Sequence, residues 1–186
     1  GGKQKAMGEA ITERDSLPVM TTLGVTTLIS DSGVTRYRVN TEEWMMYDRK
    51  KPSYWAFEKG VYMEQFDSIF NVEASIKADT AYYYDKERLW KLIGNVDIQN
   101  RKGERFNTEL LYWNEATQKV YSDKFIRIQQ PDRIITGHGF DSNQQMTIYT
   151  IRNIEGIFYV DEEASSGPPQ PETKALPDSV NKDTAK

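Results

Sequence analysis

The chain has no cysteine and a single histidine, His138, among its 186 residues. The first absence excludes disulfide frameworks, thiolate metal sites and cysteine nucleophiles. The second leaves carboxylates as the main metal donors, and no EF-hand-like spacing organises them, so neither metal nor cofactor is expected. A serine triad would have to use His138 as its base, and no G-x-S-x-G elbow accompanies it. Surplus basic charge is also missing. The net charge of −4 and pI near 5.2 argue against the clustered Lys and Arg that nucleic acid requires, so no nucleic-acid partner is expected. No window approaches the run of about 20 apolar residues that a membrane-spanning helix needs, and none shows the charge, apolar core and small-residue order of a signal peptide. Because the chain opens on GGKQK without methionine, the sequence reads as the mature or truncated part of a longer precursor from which an anchor was removed.

What remains is strand signal. With 38% hydrophobic residues the chain can build one domain of roughly 140 residues, expected over residues 21–163. Residues 1–20 are small and polar and read as a flexible linker. A capped helix over residues 6–14 lacks the apolar recurrence that would hold it. Residues 164–186, rich in Pro, Ser, Asp and Lys, read as a disordered tail. From Val34 to Val160, runs of Val, Ile, Thr, Tyr, Phe and Trp are cut by turn signals at Asp31-Ser32-Gly33, Lys59-Gly60, Gly94-Asn95, Lys102-Gly103 and Gly137-His138-Gly139. VYMEQF, IFNVEASI and NVDIQN alternate with period two. TEEWMMYDRK, which places Trp44 four residues before Asp48, also reads as strand. The chain is therefore all-β.

An internal repeat organises it. Ala78-Asp79, Thr108-Glu109 and Thr136-Gly137 align in one column. Apolar residues recur at matching offsets: Ile76, Phe106 and Ile134 before the anchor, then Tyr82, Tyr112 and Phe140, then Trp90, Val120 and Ile148, then Val96, Ile126 and Ile154. The offsets are even, as expected of residues on one side of successive strands. The alignment puts His138 where Thr80 and Leu110 stand, a structural position between strands, with its flanking glycines serving a bend or bulge. Repeats of this length stack into an elongated apolar interior and end in edge strands able to pair with another chain.

The ordered segments GVTRYRV, YWAFEKGVYMEQFD, VEASIKADTAYYYDKERLWKLIGNVDI, TELLYWNEATQKVYSDKFIRI and ITGHGFDSNQQMTIYTIRNIEG resemble the LptC family of lipopolysaccharide transport and the wider OstA-like β domain, over residues 24–160. The resemblance implies a twisted antiparallel β-jellyroll built from OstA-like repeats, with an open apolar groove that holds the acyl chains of lipid A. It further implies a periplasmic protein attached to the inner membrane through an N-terminal segment. Such a protein takes lipopolysaccharide from the membrane subunits of an ABC transporter and passes it by edge-strand pairing to a homologous bridge protein, without bond chemistry. On this reading the repeat columns and their alternating neighbours line the groove: Phe70, Val72, Ile76, Val96, Ile98, Phe106, Ile126, Ile128, Phe140 and Ile148. Gly33 and Gly137 match the family's turn glycines. The Pro-rich tail lies outside the shared pattern.

Other readings stay open from the residues alone. Many lining candidates also suit an ordinary sandwich core. Lys77, Lys91, Arg127 and Arg133 fit lipid phosphates at an open rim or simply a solvated strand face. Tyr82-Tyr83-Tyr84 and Tyr112-Trp113 suit a sugar platform of a carbohydrate-binding or adhesive β-sandwich, although alternation places consecutive residues on opposite faces. Asp79 with Glu109 is the only carboxylate pair the repeat suggests for a glycoside hydrolase, and their equivalent positions point to repeat architecture instead.

Overall fold

The computed structural model describes residues 17–31 and 34–160. The tail, Gly33 and residues 1–16, which include the possible helix over 6–14, lie outside the described residues. The end of the expected linker does not stay irregular: Met20 opens the first strand.

Eleven strands follow one another, with no helix among the described residues. They are β1 (Met20–Asp31), β2 (Val34–Tyr47), β3 (Tyr54–Phe57), β4 (Val61–Phe66), β5 (Val72–Ala78), β6 (Thr80–Tyr84), β7 (Leu89–Asn100), β8 (Arg105–Asn114), β9 (Lys119–Gln129), β10 (Arg133–Asn143) and β11 (Tyr149–Tyr159). All pair antiparallel in one sheet, mostly with their neighbours in sequence. The two short pairs are single long strands with a break. β3 and β4 lie in turn along β2, from Tyr47↔Tyr54 to Tyr37↔Gln65, and β5 and β6 lie in turn along β7, from Lys77↔Asp97 to Thr80↔Ile93.

The breaks form a line. The gap between β3 and β4 at Gly60, the single residue Asp79 between β5 and β6, and the register shift between Ile93 and Val96 fall side by side. The line continues through shifts between Thr108 and Tyr112, His138 and Phe140, and Thr136 and Gly137. At this crease the sheet doubles over, and half of each long strand goes to each layer. Such bulges bend a strand by inserting unpaired residues. Gly94 and Asn95 supply the left-handed backbone at the crease in β7, with φ of 85° and 46°.

The core lies between the layers. Tyr37 of one layer meets Trp113 and Trp90 of the other at ring-centroid distances of 5.2 and 6.3 Å. Phe106 likewise meets Tyr149 at 5.0 Å and Phe140 at 5.7 Å. Alternation explains which residues arrive there: in β7 Trp90, Leu92, Val96 and Ile98 are fully buried while Lys91, Ile93 and Asp97 face outward. Each large side chain sealed in this way contributes about 1.5–3 kcal/mol. The architecture is the all-β, twisted antiparallel jellyroll expected from the sequence.

Candidate functional site: interior, mouth and crease

Seven of the ten residues expected to line a groove meet in the interior. Ile76, Val96, Ile98, Phe106, Ile126, Ile128 and Phe140 all belong to the buried cluster. Their own side chains and those of Trp90, Leu92 and Leu111 fill the space between the layers, so the expected open trough is occupied by protein in this structure. The other three stand elsewhere. Phe70 sits in the β4–β5 turn with a φ of 65°, Val72 is the exposed first residue of β5, and Ile148 lies in the β10–β11 turn. Turns interrupt the period-two phase on which their assignment rested.

The repeat column has a physical meaning: its anchors Asp79, Glu109 and Gly137 mark the crease. Ile76, Phe106 and Ile134, just before it, are all buried. Beyond it the parity differs between copies. Ala81, Leu111 and Phe140 are the buried residues: the inward position comes three residues past Ala78 and Thr108, in β6 and β8, and four past Thr136, in β10. Tyr82 and Tyr112 therefore face outward, whereas Phe140 faces inward. Ile148, in the β10–β11 turn, and Ile154, on β11, are exposed, and β11 pairs only with β10 among the described residues.

Gly94-Asn95 and Gly137-His138-Gly139 are not turns between strands; both lie inside strands, at the crease. A Cβ on Gly137 would stand 2.4 Å from the carbonyl oxygen of Asn153, so only glycine allows β11 this close. His138 is half-exposed within β10, and its Nδ1 lies 2.5 Å from Glu155 Oε2 on β11. Asp79 and Glu109 are engaged by one residue: Asn95 donates from its side-chain amide to Asp79 Oδ2 at 2.8 Å and from its backbone N–H to Glu109 Oε1 at 3.2 Å. Their carboxylates fasten the crease.

Opposite the crease, the strand ends of the two layers face each other across a mouth. A cavity of about 480 Å³ runs along it, bounded by Arg36 and Tyr37 on one side and by Tyr83, Arg88, Trp113 and Glu115 on the other. Tyr83 donates its hydroxyl to Glu115 Oε1 at 2.8 Å. Burial, then this carboxylate, hold the Tyr83 hydroxyl well above the usual tyrosine range. Tyr37 is buried beside them, and burial first, then the Glu115 carboxylate, hold its hydroxyl above the usual tyrosine range. Toward β11 the mouth is latched by Asn100, which donates to the Met146 carbonyl at 2.8 Å, and by Gln130, which donates to the Tyr149 hydroxyl at 2.8 Å. A polar mouth above an apolar interior suits an amphiphile with its head outside and its tail within.

The cations assigned to a rim are not at this mouth, Arg133 excepted. Arg133 donates to Gln130 Oε1 at 2.8 Å in the β9–β10 turn, whereas Lys77, Lys91 and Arg127 lie on the outer face. Of the tyrosine run, Tyr83 points inward and Tyr82 outward, donating to Glu58 Oε2 at 2.9 Å with its hydroxyl pushed up to about 12, chiefly by burial.

The comparisons with known proteins agree with this architecture. The family described as "Lipopolysaccharide-assembly, LptC-related" matches residues 16–157. No curated protein sequence matches the chain. Since the match spans well over half its length, the chain belongs to the LptC family. Members of this family are periplasmic components of lipopolysaccharide transport, and it is a family of transport components, not of enzymes.

Proposed function

We propose that this chain binds lipopolysaccharide by admitting acyl chains between its two layers. It receives the lipid from the membrane subunits of an inner-membrane ABC transporter and hands it to a homologous jellyroll bridge protein. On this reading it is held at the inner membrane through its N-terminal side, and it works by binding and transfer alone. The observation that carries the reading is the pairing of a continuous apolar interior with a mouth crossed by few hydrogen bonds. Each CH₂ buried there contributes about 0.8 kcal/mol, enough for several chains to displace the rings that fill the interior. The partner exchange rests on the two edge strands, β1 and β11, each with one paired neighbour among the described residues. β1 exposes Leu23 and Leu28, and β11 exposes Ile154 and Tyr159, beside unpaired backbone groups that a strand of another jellyroll would satisfy.

The test is photo-crosslinking to purified lipopolysaccharide from positions 76, 106, 126 and 140, with controls at the outward Lys77 and Lys119. Adducts at the four interior positions and none at the controls are expected. A folded protein with no interior adduct would overturn the proposal.

The carbohydrate-binding alternative rests on an outward aromatic platform. Of Tyr82-Tyr83-Tyr84 and Tyr112-Trp113, Tyr83 and Trp113 point into the interior, and Tyr112 already has one ring face on Tyr121 at 5.4 Å, so they form no continuous platform.

A further inference from the structure

On the outer face of the crease, the β8–β9 ladder comes apart between Thr108 and Tyr112. Buried hydroxyls hold the gap open. Thr108 donates to the carbonyl of Phe125 at 2.7 Å, and Ser122 donates to the carbonyl of Leu110 at 2.6 Å while accepting from the N–H of Lys124 at 3.0 Å. Over this gap lies a cavity of about 730 Å³, within the usual range of small-ligand pockets, roughly 300–1,000 Å³.

Its lining breaks the pattern of the outer face. Ile93 and Leu110 are direct cross-strand partners facing outward, and Phe125 joins them while 45% exposed. The ring of Phe125 is braced edge-on by His138 at 5.5 Å. Around this apolar floor stand Lys91, Lys124 and Arg127. Neither lysine has an ion-pair partner among the described residues, and Arg127 reaches only Gln129 Oε1, at 3.5 Å. The one carboxylate in the lining, Glu109, accepts from the backbone N–H of Asn95. Three cations round an apolar floor, in a chain of net charge −4, are complementary to a molecule with an apolar tail and an anionic head.

We propose that this outer pocket is a binding site for a single-chain amphipathic anion, its tail on Ile93, Leu110 and Phe125 and its carboxylate or phosphate among Lys91, Lys124 and Arg127. The site is separate from the interior, from which it is divided by the sheet itself, and does not depend on acyl chains entering there. Charge-assisted hydrogen bonds fix the head, while area removed from water holds the tail.

The experiment is calorimetric titration of the full chain with dodecanoate and dodecyl phosphate below their micelle concentrations, with dodecanol, dodecyltrimethylammonium and inorganic phosphate as controls. Amide chemical-shift mapping locates the site. One-to-one binding of at least one anionic amphiphile is expected, with perturbations at residues 91–93, 108–110 and 124–127. Preference between the two anions distinguishes a fatty-acid-like from a lipid-phosphate-like ligand. The double variant K91E/K124E should weaken binding at least about tenfold with unchanged thermal unfolding, and L110S should weaken it without altering the preference for anions. Equal binding of dodecanol, binding of inorganic phosphate as tight as that of dodecyl phosphate, perturbations confined to Ile126 and Phe140, or attachment only to anionic phospholipid vesicles would each overturn the proposal.

Discussion

Along β7 the inward residues Trp90, Leu92, Val96 and Ile98 are sealed from solvent, whereas its outward residues place an ammonium, an aliphatic chain and a carboxylate within a few positions of one another. The same contrast runs through β8 and β9, where Leu111, Trp113, Ile126 and Ile128 are buried, and Tyr112, Phe125 and Arg127 face outward. The difference teaches where variation carries information. Inward positions answer to volume, since any gap forfeits contacts on all sides. Outward positions are free of that demand, so an apolar residue there needs a separate reason.

The contrast can be broken most directly at Trp90, which touches Tyr37, Phe57, Tyr83 and Trp113. Trp90→Ala is expected to lose about 3–5 kcal/mol in chemical denaturation, while the outward Tyr112→Ala loses about 1 kcal/mol, mainly its stacking on Tyr121. Equal losses would mean that the two faces are not distinct in energy. A smaller effect is expected at the crease. Gly137→Ala forces a methyl against the Asn153 carbonyl and Ile151, for about 1–3 kcal/mol, and amide exchange should quicken in β10 and β11 before β7 or β8. Uniform quickening would show that the terminal strand is not separately held.

The smallest effect sharpens the comparison at a strand tip. Asp67 caps the β4–β5 turn, accepting at Oδ1 from the N–H groups of Asn71 and Ile69 at 2.8 and 2.9 Å. The Asn71 backbone bond first, and then that of Ile69, hold its carboxyl below the usual range. A carboxyl lowered in the folded state stabilises the fold above its unfolded pKa, and that contribution is lost as pH falls through the lowered value. An NMR titration should therefore show the Asn71 amide moving only below the ordinary aspartate range, with the core resonances unmoved. Movement at ordinary aspartate pH would show that the cap is not formed in solution.

Much of this architecture was legible in the sequence. Period-two alternation marks VYMEQF, NVDIQN and the end of IFNVEASI, composition marks the other strands from β2 onward, and TEEWMMYDRK, read as strand, is strand as far as Tyr47. The repeat column falls on the crease although its residues signal no bend by themselves. Three features were not legible, each for a local reason. β1 was not marked as a strand because its residues belong to an edge whose partner, β2, is recognisable only once the sheet is assembled. The glycines at 94, 137 and 139 carry the same signal whether the chain reverses or merely bulges, and only the neighbouring register decides. Phe70, Val72 and Ile148 shared the interior's composition but not its phase, since turns reset the alternation. The outer pocket did leave a trace: Ile93, Leu110 and Phe125 are apolar on the polar phase of their strands, close to Lys91 and Arg127, which the sequence had already assigned to a rim.

The aligned bulges also set how the molecule can deform. Were the molecule to flex, the interrupted ladders along this line, the fold's spine, would make the angle between the two leaves the coordinate that breaks the fewest hydrogen bonds. About five residues separate the spine from a tip, roughly 16 Å at the strand rise. Opening the leaves by about 10° would therefore part the tips by about 3 Å at that lever arm, with the ladders within each leaf intact. A partner grasping one free edge could thus meter the slit along the whole length of the molecule by torque alone, much as a thumb on one cover sets how far a book stands ajar.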